Sequence, residues 1–427
     1  MSWAVAVIAV VLLGYAVWVR RLSALNVSAA MFFTATGLLA GPVLGILDLD
    51  LHGEAIKLLA ETTLVLVLFS DAARISPGAL RRGAAVPIRL LGVGLPLTIA
   101  AGTAVGAVVL PGLTGIEALI LAVMLACTDA ALGQAVVTDE RIPARIRQGL
   151  NVESGLNDGL CVPIFLIAIG LAEADEGSMT GRHALRIVGE QLGFGAASGV
   201  LAGVLGVVAL RAASRPERRD GGWLRILPAA TAAAAAGSAS ALGGSIFIAA
   251  FTAGLVFAWQ RPVAPVPDAQ VTDLVDEVGE LLNGVTFLVF GAVILAEALA
   301  DATWHALLYA LLSLTVVRML PVAAAMLGTG SRPATLLLLG WFGPRGLASI
   351  VFGVILLDDT SLAGESTMLV VVAITVVLSV FAHGLTAKPM TDGYVRWWVG
   401  RSDAVRQSGE DGTGAVRARW HRPVPPA

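Results

Sequence analysis

Long apolar runs, separated by short polar stretches, recur along the chain up to about residue 390. A helix needs about 20 mainly apolar residues to cross a bilayer. The predicted fold class is therefore an all-α polytopic membrane protein with about 13 transmembrane helices. The eighth predicted span is rich in alanine and the ninth is short, so twelve or fourteen spans are the alternatives to thirteen. The spans are predicted near residues 3–19, 25–46, 55–73, 86–110, 116–138, 146–171, 184–210, 224–242, 244–259, 278–300, 303–327, 333–357 and 363–387.

Composition supports the same class of protein. The chain has 427 residues, of which 57% are hydrophobic and 14% are charged, and its mean hydropathy is +0.83. A soluble protein carries about 25% charged residues, so this chain has too few polar residues to cover soluble domains. Cys127 and Cys161 both lie in apolar runs, and we expect them to be buried thiols rather than a disulfide framework.

Loop charges predict how the chain is oriented in the membrane. Loops that follow even-numbered spans are acidic or neutral, whereas arginines collect after odd-numbered spans. By the positive-inside rule the N-terminus is outside and the C-terminus is cytoplasmic. Residues 1–390 then form the transmembrane domain, and the aperiodic polar residues 391–427 form a short, largely disordered cytoplasmic tail. The arginines that follow odd-numbered spans are Arg20, Arg21, Arg74, Arg81, Arg82, Arg89, Arg141, Arg145, Arg147, Arg211, Arg215, Arg218, Arg219, Arg225, Arg261 and Arg332.

The order of the spans is compatible with two inverted six-helix repeats, near residues 3–171 and 222–389, joined by a connecting helix at 184–210. Inverted repeats in transporters often carry interrupted helices at corresponding positions. Spans 5 and 12 would correspond, and each has a polar interruption: CTDA at 127–130 and GPRG at 343–346. Proline between glycines breaks helices, although an ordinary proline kink in span 12 is the alternative.

Six of the ionisable residues inside predicted spans are candidates for a role at the bilayer midplane. A charged side chain at the centre of a bilayer costs about 2.5–3.5 kcal/mol on insertion scales. One such pair is readily explained as a buried ion pair that only joins helices. A cluster in spans 3, 5, 6, 11 and 12 instead favours an ion or proton pathway. The six are Asp71, Asp129, Glu153, Asp158, Arg318 and Arg345.

Span 6 carries the densest group of polar side chains. Ser154 and Asp158 are four residues apart, and so are Glu153 and Asn157, so all four lie on one broad helix face. Hydroxyl, amide and carboxylate oxygens of this kind suit a hard cation. The sequence therefore predicts a cation site on this face.

Neighbouring spans add further oxygens. Thr128 supplies a hydroxyl and, if span 5 is broken, a backbone carbonyl. Asp71 supplies a carboxylate, although a near-interface ion pair with Arg74 is the alternative for this residue.

His383 is predicted to be packed or interfacial rather than a pH sensor. Four acidic residues are predicted to form a solvated, amphipathic start of span 10, and a role in pH sensing is the alternative. The four are Asp273, Asp276, Glu277 and Glu280.

The two carboxylates of span 6 are predicted to have different roles. A buried acid with no basic partner can hold a cation or a proton in turn, whereas an acid paired with arginine stays charged and structural. We assign the first role to Asp158. We assign the second role to Glu153, with Arg345 as its partner and Arg318 as the alternative partner.

At these residues the chain resembles the monovalent cation:proton antiporters of the NhaP/NHE branch. TDAALGQAVV (128–137) resembles the family's Thr-Asp-Pro-Val-Ala segment, and ESGLNDG (153–159) its Glu-Ser-x-x-Asn-Asp-Gly motif. GPRGLAS (343–349) resembles its Gly-x-Arg-Gly motif, SVFAHGLTAKPM (379–390) its last-span ending, and FIAAFTAGLVFA (247–258) also fits. The resemblance covers almost the whole membrane region.

The resemblance implies a homodimer in the plasma membrane that exchanges Na⁺ or K⁺ for H⁺ in pH homeostasis, without a cofactor. A core domain would move the ion site past a dimer domain. Asp158 would bind the monovalent cation or the proton, with Thr128 and Ser154 nearby. Asp129 would serve the crossing half-helices, whose N-terminal dipole it can offset. Ala130 departs from the family pattern, which usually has proline at that position.

The predicted function is secondary active, electroneutral exchange by alternating access. Electroneutrality follows if Asp158 is the single titrating carboxylate, since Asn157 cannot ionise and an arginine holds Glu153 charged. A passive cation channel and a cation-coupled solute symporter are the alternatives. An intramembrane aspartyl protease is a third alternative, but GLND and CTDA do not give the Gly-x-Gly-Asp arrangement that such enzymes use. No enzymatic activity is predicted.

Overall fold

The computed structural model describes residues 2–47, 49, 53–75, 85–129, 131–175, 181–214, 221–260, 272–359 and 362–400. These residues form thirteen helical segments, which we number α1 to α13. The segments are α1 (Ser2–Ala24), α2 (Ala29–Leu38, then a π-helical turn, Leu39–Val43), α3 (Glu54–Ala73), α4 (Ala85–Arg89, Leu90–Gly94 and Leu95–Val109), α5 (Gly115–Met124 and Gln134–Val137), α6 (Ala144–Asp175), α7 (Gly181–Ala213), α8 (Gly221–Ala241), α9 (Ile246–Gln260), α10 (Asp273–Val289, Phe290–Ile294 and Leu295–Ala300), α11 (Trp304–Leu314 and Val316–Ala325), α12 (Pro333–Trp341 and Leu347–Asp359) and α13 (Glu365–Val399).

Each predicted span corresponds to one of these segments, which confirms an all-α polytopic membrane protein. Among the described residues, seven of the helices are long and apolar enough to cross a bilayer. Shorter apolar helices occur in α2, α5, α9 and α12. Several loops that carry the orienting arginines lie outside the described residues, so the orientation in the membrane stays a prediction.

The last helix is longer than the apolar pattern predicts. α13 continues to Val399, so the prediction of disorder is wrong for residues 391–399, while residues 401–427 lie outside the described part of the chain. The extension is helical because it has something to pack on. Tyr394 is buried, and its hydroxyl hydrogen-bonds Thr335 at 3.1 Å. Asp392 also accepts a charged hydrogen bond from Arg141 at 2.8 Å.

Both predicted interruptions are confirmed. α5 is helical up to Met124 and resumes as a short turn at Gln134, and α12 is interrupted between Trp341 and Leu347. The unwound stretches meet at one point, where the N–H of Asp129 donates to the carbonyl of Pro344 at 2.8 Å. Ala130 itself lies outside the described residues. The helices on either side of it end at Met124 and begin at Gln134, so α5 is broken although position 130 is not proline.

Glycine allows α3, α6 and α9 to approach closely, and this places Asp71 beside α6. A Cβ at Gly155 would lie 3.4 Å from the Cβ of Asp71, an ordinary van der Waals distance, so α6 passes directly beside Asp71. A Cβ at Gly254 of α9 would lie 2.5 Å from the carbonyl oxygen of Phe69 on α3. Small residues permit this kind of close helix packing in membranes.

Candidate functional site

The α5 interruption is joined to α6 by a closed set of hydrogen bonds. The hydroxyl of Ser154 donates to the carbonyl of Thr128 at 2.5 Å, and the hydroxyl of Thr128 lies 3.3 Å from that of Ser154. The amide nitrogen of Asn157 donates to the Thr128 hydroxyl at 2.6 Å, and its oxygen accepts from the Thr128 N–H at 3.3 Å. These contacts satisfy the backbone that the interruption frees, as the membrane interior requires.

Asp158 differs from its neighbours because one of its oxygens has no partner. It lies one turn beyond Ser154 and is only 7% exposed. Its Oδ1 is buried and makes no hydrogen bond within the described part of the chain. A buried carboxylate oxygen without a partner costs free energy. A cation or a proton at this oxygen would remove that cost.

Asp158 lines a cavity of about 370 Å³. The charged groups around this cavity are mostly acidic, and Arg74 is the cation among the lining residues. A cleft lined by one sign of charge raises the local concentration of ions of the opposite sign. The cavity is therefore suited to attract cations towards Asp158. The acidic lining residues are Asp71, Asp129, Asp158, Asp273, Asp276, Glu277 and Glu280.

Asp71 reaches this cavity without an ion pair to Arg74. Arg74 instead pairs with Asp276 of α10 at 2.9 Å, and the hydroxyl of Ser70 also donates to Asp276. The alternative of an Asp71–Arg74 ion pair is therefore not what the structure shows. The acids at the start of α10 partly join helices together, since Asp273 is also paired, at 3.3 Å, with Arg225 of α8.

Asp129 caps the crossing of the two interrupted segments. Its Oδ2 accepts from the N–H of Leu347 at 3.0 Å, where the second half of α12 begins. Its Oδ1 accepts from the N–H groups of Ala131 at 2.8 Å and Leu132 at 3.4 Å. A carboxylate at these positions satisfies free donors and offsets the dipole of the half-helix. Gly346 is required here, because a Cβ would overlap the Asp129 carboxylate.

Glu153 is paired with Arg318, so the prediction that its partner is Arg345 is wrong. The two terminal guanidinium nitrogens of Arg318 bind the carboxylate, at 2.8 and 3.0 Å, and both side chains are at most 2% exposed. Gly343 makes the space for this contact, since a Cβ there would collide with the Arg318 guanidinium. Such a bidentate ion pair is among the stronger charged contacts in proteins.

Arg345 binds the interruption of its own segment. One guanidinium nitrogen donates to the carbonyl of Gly343 at 2.7 Å, and the backbone N–H donates to the hydroxyl of Ser379 at 2.6 Å. The Pro344 turn aims this side chain at the freed carbonyl of Gly343. Helical spacing along α12 does not predict such a contact.

Two residues of α13 at the same interruption were not predicted to have a role there. Ser379 accepts from Arg345, and the Nε2 atom of His383 lies 2.9 Å from the carbonyl of Trp341. His383 is packed, as predicted, and 1% exposed. The available signal was their spacing of four residues on an apolar helix, which places a hydroxyl and an imidazole on one face.

We expect the free energy of unfolding to couple Glu153 to Arg318. Removing one side of a buried ion pair costs about 3–5 kcal/mol, so Glu153→Gln and Arg318→Met should each lower the thermal stability of the detergent-solubilised protein. The double variant should lose less than the sum of the two. The matched cycle uses Arg345→Met with Glu153→Gln and should be closer to additive. Stronger coupling of Glu153 to Arg345 than to Arg318 would contradict the observed pairing.

Comparisons with known sequences agree with this architecture. The family model described as "Sodium/hydrogen exchanger, transmembrane" matches residues 7–393. The Na(+)/H(+) antiporter of Schizosaccharomyces pombe (strain 972 / ATCC 24843) is 27% identical over 256 residues, which cover 56% of this chain and 53% of that protein. Na(+)/H(+) antiporter 2 of Zygosaccharomyces rouxii is 28% identical over 194 residues, 44% of this chain and 24% of that protein. The chain thus spans about half, or less, of these relatives' length.

The fold is also shared with a solved structure. The sodium proton antiporter MjNhaP1 from Methanocaldococcus jannaschii, at pH 8, superimposes with a TM-score of 0.75 and 19% sequence identity, over 92% of this chain and 98% of that one. The resemblance seen in the motifs is confirmed by the family match, which extends from α1 into the extension of α13. This chain belongs to the family of transmembrane sodium/hydrogen exchangers.

Proposed function

We propose that the protein exchanges a monovalent cation, Na⁺ or K⁺, for H⁺ across the plasma membrane and serves pH homeostasis. The observation that carries this proposal is the unpartnered, buried Oδ1 of Asp158 on an acidic cavity. Membership of a family of sodium/hydrogen exchangers supports the same activity. The transported cation and proton are substrates, and no resident cofactor takes part.

The cation would bind between Asp158 and the α5 interruption. Asp158 supplies the charge, while Ser154 and Thr128 supply hydroxyl oxygens from the two sides. Asn157 holds Thr128 in place through both atoms of its amide. Hard monovalent cations prefer oxygen ligands, and Na⁺ and K⁺ are distinguished by cavity size and ligand number. When the cation leaves, a proton takes its place on Asp158.

Asp129 and Asp71 have supporting roles in this proposal. Asp129 is engaged by three backbone N–H groups, so it keeps the crossing intact and adds negative charge to the cavity. Asp71 lies against Gly155 on α6 and faces the same cavity. Its carboxylate would attract the cation on its way to Asp158.

Transport would proceed by alternating access. The cavity is lined by Arg74 after α3, Thr138 after α5 and Asp273 at the start of α10, which all lie on the side that the loop charges assign to the cytoplasm. This conformation is then open to the inside. Two inverted repeats, near residues 3–171 and 222–389, would carry the crossing past a dimer domain in a homodimer.

Exchange would be electroneutral. Glu153 stays charged because Arg318 holds both of its oxygens, and Asn157 cannot ionise. Asp158 is then the carboxylate whose charge is cancelled by the cation in one direction and by the proton in the other. No net charge moves in the complete cycle.

Asp158→Asn should abolish exchange while preserving the fold. Asparagine has nearly the same shape but can hold neither a proton nor a monovalent cation by charge. Cation uptake by proteoliposomes with an imposed pH gradient should fall to the level of protein-free vesicles. Glu190→Gln is the control, since this exposed glutamate is paired with Arg186 far from the cavity. Near-normal exchange by a folded Asp158→Asn protein would refute the site.

Membrane voltage should leave the exchange rate of the wild-type protein unchanged. A voltage would supply about 2.3 kcal/mol per 100 mV for each net charge moved, but one cation for one proton moves none. The measurement is uptake into proteoliposomes under an imposed potential of either sign without a pH gradient. Uptake that follows the voltage would mean a second titrating group, with Asp71 and Asp129 the first to test, and uptake without proton movement would favour a channel.

A further inference from the structure

One turn of α13 holds both sides of the α12 interruption. The hydroxyl of Ser379 accepts from the N–H of Arg345 at 2.6 Å. His383, four residues later, has its Nε2 atom 2.9 Å from the carbonyl oxygen of Trp341. Both side chains are at most 1% exposed. A serine and a histidine on one face of an otherwise apolar helix therefore bind the two ends of the break.

The direction of the His383 contact is set by the tautomer of the ring. Carbonyl oxygens can only accept and lie 2.9 Å from both ring nitrogens, but a neutral imidazole donates from one nitrogen alone. We place the hydrogen on Nε2, which then donates to Trp341 and leaves Nδ1 to accept from the hydroxyl of Ser379. The other ring nitrogen, Nδ1, is tied to Ser379, with the hydroxyl at 3.1 Å and the carbonyl at 2.9 Å. The ring of Trp341 also packs on the imidazole, with 5.0 Å between centroids. The imidazole of His383 and the hydroxyl of Ser379 thus contact each other, and both bind the unwound backbone of α12.

The backbone held in this way is the part that meets α5. Pro344 lies between the two clamped residues, and its carbonyl accepts from the N–H of Asp129 at 2.8 Å. Asp129 directly follows Thr128, which supplies oxygens to the site. A displacement of the α12 break would therefore move Thr128 relative to Asp158.

We propose that Ser379 and His383 are positioning residues for cation binding: they fix the carbonyl of Pro344, and through it the position of Thr128 beside Asp158. This inference rests on the proposed function of the Asp158 site. Neither residue touches the cation. Their contribution is to the geometry of its ligands, so it should show in the apparent affinity for the cation rather than in the maximal rate.

Two amides at position 383 separate positioning from mere packing. Glutamine places its amide nitrogen at about the reach of Nε2, whereas asparagine reaches only as far as Nδ1. Both substitutions remove the ring, so both should lower thermal stability, and His383→Asn should lower it more because it also loses the bond to Trp341. Losing one hydrogen bond costs about 1 kcal/mol. His383→Asn should accordingly raise the apparent KM for the cation about fivefold with the maximal rate within about twofold, and His383→Gln should stay close to wild type.

Ser379 provides the second pair of variants, needed if neither substitution at position 383 folds. Ser379→Ala removes the acceptor for Arg345 and should raise KM, whereas Ser379→Thr keeps the hydroxyl and should not. The pH dependence of KM should keep its wild-type slope in all variants that exchange, because a positioning residue does not titrate. Measurements use the full chain in proteoliposomes.

Three outcomes would overturn the positioning role. The first is an equal KM in His383→Asn and His383→Gln, or in Ser379→Ala and Ser379→Thr. The second is a loss confined to thermal stability, which would leave a structural role only. The third is an altered pH slope, which would assign proton binding to His383. Failure of the proposed function is distinguishable, since the wild-type protein itself would then exchange no cation for protons.

Discussion

Backbone that leaves helical geometry inside a membrane must find its hydrogen-bond partners within the protein. The rest of this structure depends on how α5 and α12 meet that constraint. Asp129 and Pro344 bind each other across the crossing, and the Asp129 carboxylate caps the half-helix that follows in α12. α6 and α13 supply most of the remaining partners. Two unwound stretches thereby become a rigid junction.

Asp158 differs from the polar groups of that junction in its hydrogen bonding. Thr128, Ser154 and Asn157 satisfy one another, and Glu153 is neutralised by Arg318. Asp158 is buried in the same region, has an unpartnered oxygen and lines a cavity. Since these four side chains are paired with other groups, the Asp158 carboxylate is left available for an ion. The burial of Asp158 therefore supports the proposed exchange rather than a structural role alone.

The sequence predicts most of the fold because lipid imposes simple rules. Apolar length predicts the spans, and Pro344 between glycines predicts the break in α12. The choice between Arg318 and Arg345 as the ion-pair partner of Glu153 was not predictable, since i, i+4 spacing describes one helix and not its neighbours. That choice depends on Gly343, which leaves room for the Arg318 guanidinium. The extension of α13 was missed for the same reason, because Tyr394 packs with Thr335, which is remote in sequence.

The pH dependence of the apparent KM for the cation tests the central claim most directly. If cation and proton take turns on Asp158, they compete for one site. KM should then rise as pH falls, by about tenfold per pH unit once the proton dominates the site, while the maximal rate at saturating cation changes little. A KM that is independent of pH, together with a maximal rate that falls in acid, would place the proton on a separate group and contradict the account.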